Sequence, residues 1–265
     1  MVNLFEAAKH CIHIKDPDVK IVETRLLAEK FKNSEYELSG ISAPQHIELP
    51  GLPDKLRLVH PRKLTRRSVH TLRGKAALLH AIAHIEFNAI NLALDAVYRF
   101  RDLPRHYYVD WLRVASEEAY HFSLINNYLR DIGFEYGDFV AHNGLWDMAL
   151  KTTEDVLIRM ALVPRVMEAR GLDVTPGIID RFSAIGDQRA VDILNIIFRD
   201  EVGHVEIGTS WFYYFCDQYN LPRQGTFEKL MKQYMEGRVK LPLHHEARKA
   251  AGFSEQEIRY LEGLA

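Results

Sequence analysis

Residues 113–125 read RVASEEAYHFSLI and residues 196–208 read IIFRDEVGHVEIG, and each holds one Glu-x-x-His: Glu118 with His121, Glu201 with His204. A spacing of three puts carboxylate and imidazole on one face of an α-helix, one turn apart, where both can reach a single cation. The string is common, so its setting decides. Trp111, Leu112, Val114, Phe122, Leu124 and Ile125 surround the first copy, and Ile193, Leu194, Ile196, Ile197, Val205 and Ile207 surround the second. Charged groups among such neighbours are costly unless they are paired or bind cations.

The pattern on either side is helical, and strand-like alternation is almost absent. Residues 74–100 (GKAALLHAIAHIEFNAINLALDAVYRF) are apolar on nearly every face, as a central helix of a bundle should be. After Asp102-Leu103-Pro104 a second helix runs to Ile132 and stops at Gly133, a natural left-handed cap. A third is expected over residues 153–170, ending at Gly171, with a short piece at 176–185 and a fourth over 187–219. The connection of residues 133–152 is too long for a tight turn and suits a crossover. An earlier helix starts at Asp16-Pro17 and ends near Asn33; Pro44, Pro50, Pro53 and Pro61 then break the chain up. The expectation is an all-α protein. Its core is a four-helix bundle over residues 74–220, with an N-terminal extension (1–73) and a helical tail (221–265) packed outside. The tail holds a short helix near 254–263 with a Ser254/Glu257 capping box.

The other two long helices each supply a lone glutamate in apolar surroundings, Glu86 and Glu168. In an antiparallel hairpin, residues at equal height flank the turn symmetrically. Glu86 and Glu118 centre on Asp102, inside the expected turn, and Glu168 and Glu201 centre between Ala184 and Ile185, beside Gly186-Asp187. The second case requires the 172–176 interruption to be a kink that leaves the helix direction unchanged. Pro164, four residues before Glu168, should bulge its own helix.

With four glutamates and two histidines so arranged, residues 74–219 resemble the ferritin-like di-iron carboxylate superfamily. The chain reads as one of its bacterial families, with a distant likeness to the tRNA 2-methylthio-isopentenyladenosine hydroxylases. The resemblance implies a ferritin-like bundle in which Glu86, Glu118, His121, Glu168, Glu201 and His204 ligate two iron ions, with manganese or a mixed pair as alternatives. It also implies that Asp200, and equivalently Glu117, serve catalysis by holding the outer nitrogen of a ligating histidine. The implied function is oxidoreductase: dioxygen activated to hydroxylate or oxidise an organic substrate, such as a modified nucleoside or another small molecule, with an electron-donor protein as partner. Two alternatives stand beside it. One is a ferroxidase, peroxide-detoxifying or manganese-catalase-like metal protein; the other is a non-enzymatic helical binding protein with a vestigial site.

Other residues have blander readings. Lys and Arg total 34 against 36 Asp and Glu, a net charge of −2 that offers no global field for nucleic acid or membrane. The basic stretch 55–75, with Arg62, Lys63, Arg66 and Arg67, lacks aromatics for base stacking and reads as a solvated linker rather than an RNA site. Cys11 and Cys216 have no metal-knuckle or redox spacing, and Glu6, Lys9 and His10 fall where an export signal needs its apolar core. A cytoplasmic monomer or homodimer without a membrane span is expected. His80 and His84 point away from Glu86 around the helix and suit packing, and Tyr120 and Tyr213 are expected in the core rather than as redox phenols. His142 reads as a loop residue. Gly203 and Gly208, inside a helix where glycine costs about 1 kcal/mol, serve either space beside the cluster or close helix packing.

Overall fold

Helices form where the caps and apolar periodicity place them, and the chain is all-α. The computed structural model describes residues 2–38, 43–64, 68–235 and 239–264. Among these, extended pairing is limited to Val2–Asn3 beside Tyr36–Glu37 and a bridge between Leu58 and Ala141. Two compact units divide the chain, Met1–Leu150 and Lys151–Ala265, and the boundary falls inside the expected crossover.

The first unit holds α1 (Leu4–His13), α2 (Pro17–Lys32), α3 (Leu72–Arg99), α4 (Arg105–Asp131) and α5 (Gly144–Lys151). Sequence reasoning passed over α1 and α5. In α1 the signal was present: Asn3 Oδ1 accepts from Phe5 N and Glu6 N, and Leu4, Ala8, Cys11 and Ile12 recur at helical spacing and are buried. Helix α1 packs on α3 and α2 on α4, so the N-terminal extension flanks the α3–α4 hairpin. Thr71 caps α3 by accepting from Gly74 N at 3.1 Å, and every residue from Glu86 to Arg99 is buried. Among the described residues α3 alone is long and apolar enough to cross a membrane, yet 83% of its apolar window is buried inside the protein. It is a core helix. Asp102, at φ 58°, turns the chain, while the Tyr108 hydroxyl donates to Phe100 O at 3.1 Å and accepts from Leu103 N at 3.2 Å.

The two histidines of α3 pin the connection after α4. His80 Nε2 accepts from Gly137 N at 2.9 Å, and His84 bonds the Tyr136 hydroxyl at 2.8 Å and the His142 carbonyl at 3.0 Å. Tyr136 is thereby seated between Phe87 and Phe122, with ring centroids at 4.9 and 5.1 Å. Lys20 of α2 is fully buried without a carboxylate: its ammonium donates to Ile12 O at 2.8 Å and Asn91 Oδ1 at 2.6 Å and sits 5.1 Å from the Phe87 ring centroid.

The second unit holds α6 (Val156–Leu162), a π-helical turn (Val163–Glu168), α7 (Ala169–Ala184), α8 (Gln188–Gln218), α9 (Arg223–Met235), α10 (His245–Ala250) and α11 (Glu255–Glu262). The third long helix does not end at Gly171. It runs on through Pro176 to Ala184, because the left-handed closing residue is Gly186, at φ 70°. Pro164 supplies the expected bulge: with no N–H to donate, it leaves a gap in the ladder that the backbone absorbs by widening into the π turn. A Cβ on Gly208 of α8 would lie 2.3 Å from Pro164 Cβ, so this glycine exists for close packing against that ring. The tail packs through α9 on α6 and α8 and through α10 on α7 and α8, and the Ser254/Glu257 capping box closes the start of α11.

Two measurements test this packing. Gly208→Ala should destabilise the protein by about 1–3 kcal/mol through overlap with Pro164, read by urea denaturation; wild-type stability would remove the contact. Burial pulls the Lys20 ammonium from 10.5 down to about 7. The unfolded chain therefore binds a proton there that the folded chain lacks, and the Lys20 contribution to stability rises with pH from about 7. Lys20→Met should be the more stable protein at neutral pH, by a margin that shrinks up to about pH 9, above which the Cys11 thiol, raised to about 11 by burial, titrates. A pH-independent margin would contradict the assignment.

Candidate metal centre

The α3–α4 hairpin brings Glu86, Glu118 and His121 together, at 2%, 1% and 0% exposure. Each offers a ligand atom, and these atoms lie within 4.8 Å of one another. His121 Nδ1 stands 3.3 Å from Glu86 Oε2 across the hairpin and 3.5 Å from Glu118 Oε2 one turn below. The symmetry of Glu86 and Glu118 about Asp102 is therefore expressed as proximity, with ligand atoms within 4.8 Å and both carboxylates beside His121. Burial by itself would lower the His121 pKa, but the Glu118 and Glu86 carboxylates outweigh it and lift the imidazole to about 11. Without a cation, the proton on His121 is what offsets the two carboxylates. Phe87 and Phe122, each next in sequence to a member of this group, pack with Tyr136 and are fully buried.

In the second unit Glu201 and His204 of α8 are buried, with His204 Nδ1 3.8 Å from Glu201 Oε1. Glu168 closes the π turn and is half-buried. Helices α7 and α8 are antiparallel across Gly186, and Pro164 touches Gly208. Four residues from Pro164 toward the turn is Glu168, and four from Gly208 toward the turn is His204. To within a helical turn, then, Glu168 lies level with His204. Glu201, the residue expected at the height of Glu168, is three positions from His204 and falls within that same turn.

All six residues make interactions with the protein around them. Mixed carboxylate and imidazole donors suit iron, manganese or zinc. The Glu86–Glu118–His121 group can hold a metal ion.

Asp200 Oδ1 accepts from Arg199 Nε at 2.8 Å, with the Asp200 side chain 20% exposed. Glu117 faces α2, where it lines a groove of roughly 470 Å³ with Arg25, Glu29 and Arg113; Arg113 Nε is 3.9 Å away. Tyr120 is not a core residue: next to the inward-facing His121, it turns outward and is 40% exposed. Tyr213 bonds Glu257 and Gly252 in its own unit. A Cβ at Gly203 would meet no atom within 4 Å, so this glycine, unlike Gly208, borders open space. Arg66 and Arg67 of the basic stretch lie outside the described residues. Sequence spacing did not single out Tyr136 or Phe122, whose roles arise from contacts distant in the chain.

The family model described as "Protein of unknown function (DUF455)" matches residues 13–259, nearly the whole chain. This chain belongs to the DUF455 family. A Haemophilus influenzae protein with the printed description "Uncharacterized protein" is 46% identical over 220 residues, which cover 80% of this chain and 76% of that relative. No solved structure matches. The DUF455 match includes all six candidate ligands and the C-terminal helices through Arg259.

In this DUF455 protein His121 must lose its proton to ligate a metal, so binding should release about one proton at neutral pH and tighten as pH rises. Calorimetry in buffers of different ionisation heat reads this release, and His121→Gln should abolish it. Binding without pH dependence would contradict the site.

Proposed function

We propose that this protein is a ferritin-like, non-haem di-iron oxidoreductase that uses dioxygen to hydroxylate or oxidise an organic substrate. The buried Glu86–Glu118–His121 group carries the reading, because two carboxylates and an imidazole in a dry hairpin have the chemistry of a metal site. Glu168, Glu201 and His204 repeat its composition, with Glu-x-x-His again on one helix face. In this proposal the six residues are the ligands of two iron ions.

Iron in such a site supplies the capacity to reduce dioxygen while a substrate is oxidised. The chain's own residues do the rest. Four carboxylates balance the charge of two divalent cations, and the two imidazoles add neutral nitrogen donors once deprotonated. Phe87, Phe122 and Tyr136 keep bulk water from the Glu86 side. Exposed Ile85 and Tyr120, each adjacent in sequence to a ligand, give an organic substrate apolar and aromatic surface to approach. The open space beside Gly203 leaves room on α8. A separate electron donor completes the chemistry.

Purified protein loaded with Fe(II) should contain two iron ions per chain and take up oxygen faster in the presence of a substrate. Glu118→Ala and His204→Ala should each lose at least one iron; unchanged stoichiometry in both would refute the ligand set. Oxygen uptake indifferent to every organic compound, together with a 24-subunit cage on sizing, would point to iron storage instead.

A further inference from the structure

The segment carrying Glu168 is gripped by the end of the chain. Arg165, three residues before Glu168 in the π turn, is fully buried and donates to Glu257 Oε1 at 2.6 Å and Thr209 Oγ1 at 3.3 Å. Its guanidinium lies among four rings, 4.3 Å from Phe227, 4.6 Å from Phe253, 4.7 Å from Phe212 and 5.4 Å from Tyr213. Glu257 Oε2 accepts from the Tyr213 hydroxyl and from Ser254 N, both at 2.9 Å, so the capping box of α11 and the ion pair share one carboxylate. Burial would raise the Glu257 pKa, but Arg165 and these donors hold it below its ordinary value.

Two further ties reach the same stretch just beyond Glu168. Arg170 donates to Lys240 O at 2.7 Å and Pro242 O at 3.2 Å. Asp173 accepts from His244 N at 2.9 Å and, through both oxygens, from Arg248 at 2.9 and 2.8 Å. Residues 165, 170 and 173 thus bracket Glu168, and each of them is tied to residues 240–257. Buried ion pairs are a poor way to gain stability, since apolar side chains of similar volume often do as well. What they provide is fixed geometry, here in the π turn and the start of α7.

We propose that docking of the C-terminal segment, residues 240–262, is coupled to metal binding at Glu168, with Arg165 and Glu257 as the positioning residues that connect them. The coupling rests on the proposed metal centre. When the segment is docked the π turn is set and Glu168 faces its metal; when it is released the turn relaxes and that ligand is lost. Linkage makes the effect reciprocal, so metal must also tighten the docking.

The test uses the full chain and Fe(II) without oxygen. Glu257→Gln should keep its helical circular dichroism and bind one of the two iron ions about tenfold more weakly, with the other unchanged. Tyr213→Phe removes only the hydroxyl on Glu257 and should weaken the same ion by a smaller factor; it decides the matter if Glu257→Gln fails to fold. Fe(II) should slow amide exchange in residues 243–262 of the unsubstituted protein but not of Glu168→Gln. Wild-type affinity for both ions in both variants, or exchange indifferent to iron, would overturn the coupling. If the unsubstituted protein takes up no iron, the proposed function falls and the coupling with it. If it takes up two and the variants match it, only the coupling falls.

Discussion

Two carboxylates cannot share a dry space without a positive charge to answer them. Glu86 and Glu118 meet deep in the α3–α4 hairpin, where the solvent that would screen them is excluded. A proton on His121 answers them in part, and a bound cation would answer them fully. The aromatic packing of Phe87, Phe122 and Tyr136, the pinning of the following loop by His80 and His84, and the burial of α3 all make that space dry. The surrounding structure sharpens the electrostatic demand instead of relieving it, which is what a metal site requires and what a core built only for stability would avoid.

Ligand height is set by turns. Asp102 in the left-handed region closes the first hairpin tightly enough to bring ligand atoms of Glu86 and Glu118, sixteen positions away on either side, within 4.8 Å. Gly186, also left-handed, closes the second. There the spacing is adjusted again, by a proline whose missing N–H opens a π turn and a glycine that lets its ring approach. Gly203 and Gly208 share a helix and a residue type yet answer to different physics, one bordering open space and the other filled to contact.

The N-terminal helices and the C-terminal tail are part of this arrangement. Helix α1 covers α3 and carries the backbone carbonyl that holds Lys20, and the tail reaches the π turn through Arg165 and the start of α7 through Arg170 and Asp173.

The existence of the long helices, the caps at Asp16 and Ser254, the turn at Asp102 and the Pro164 bulge were legible in the amino-acid order, because each depends on neighbours within about one helical turn. So was the candidate site, since Glu-x-x-His and mirror placement about a turn are one-dimensional patterns. Tertiary structure alone decided the continuation of α7 past Gly171, the outward turn of Tyr120 and the direction of Glu117 toward α2. It alone decided, too, that Arg165 and Glu257, ninety-two residues apart, share a buried bond. Packing between distant segments settles these outcomes, and local sequence holds no record of which partner a side chain will meet.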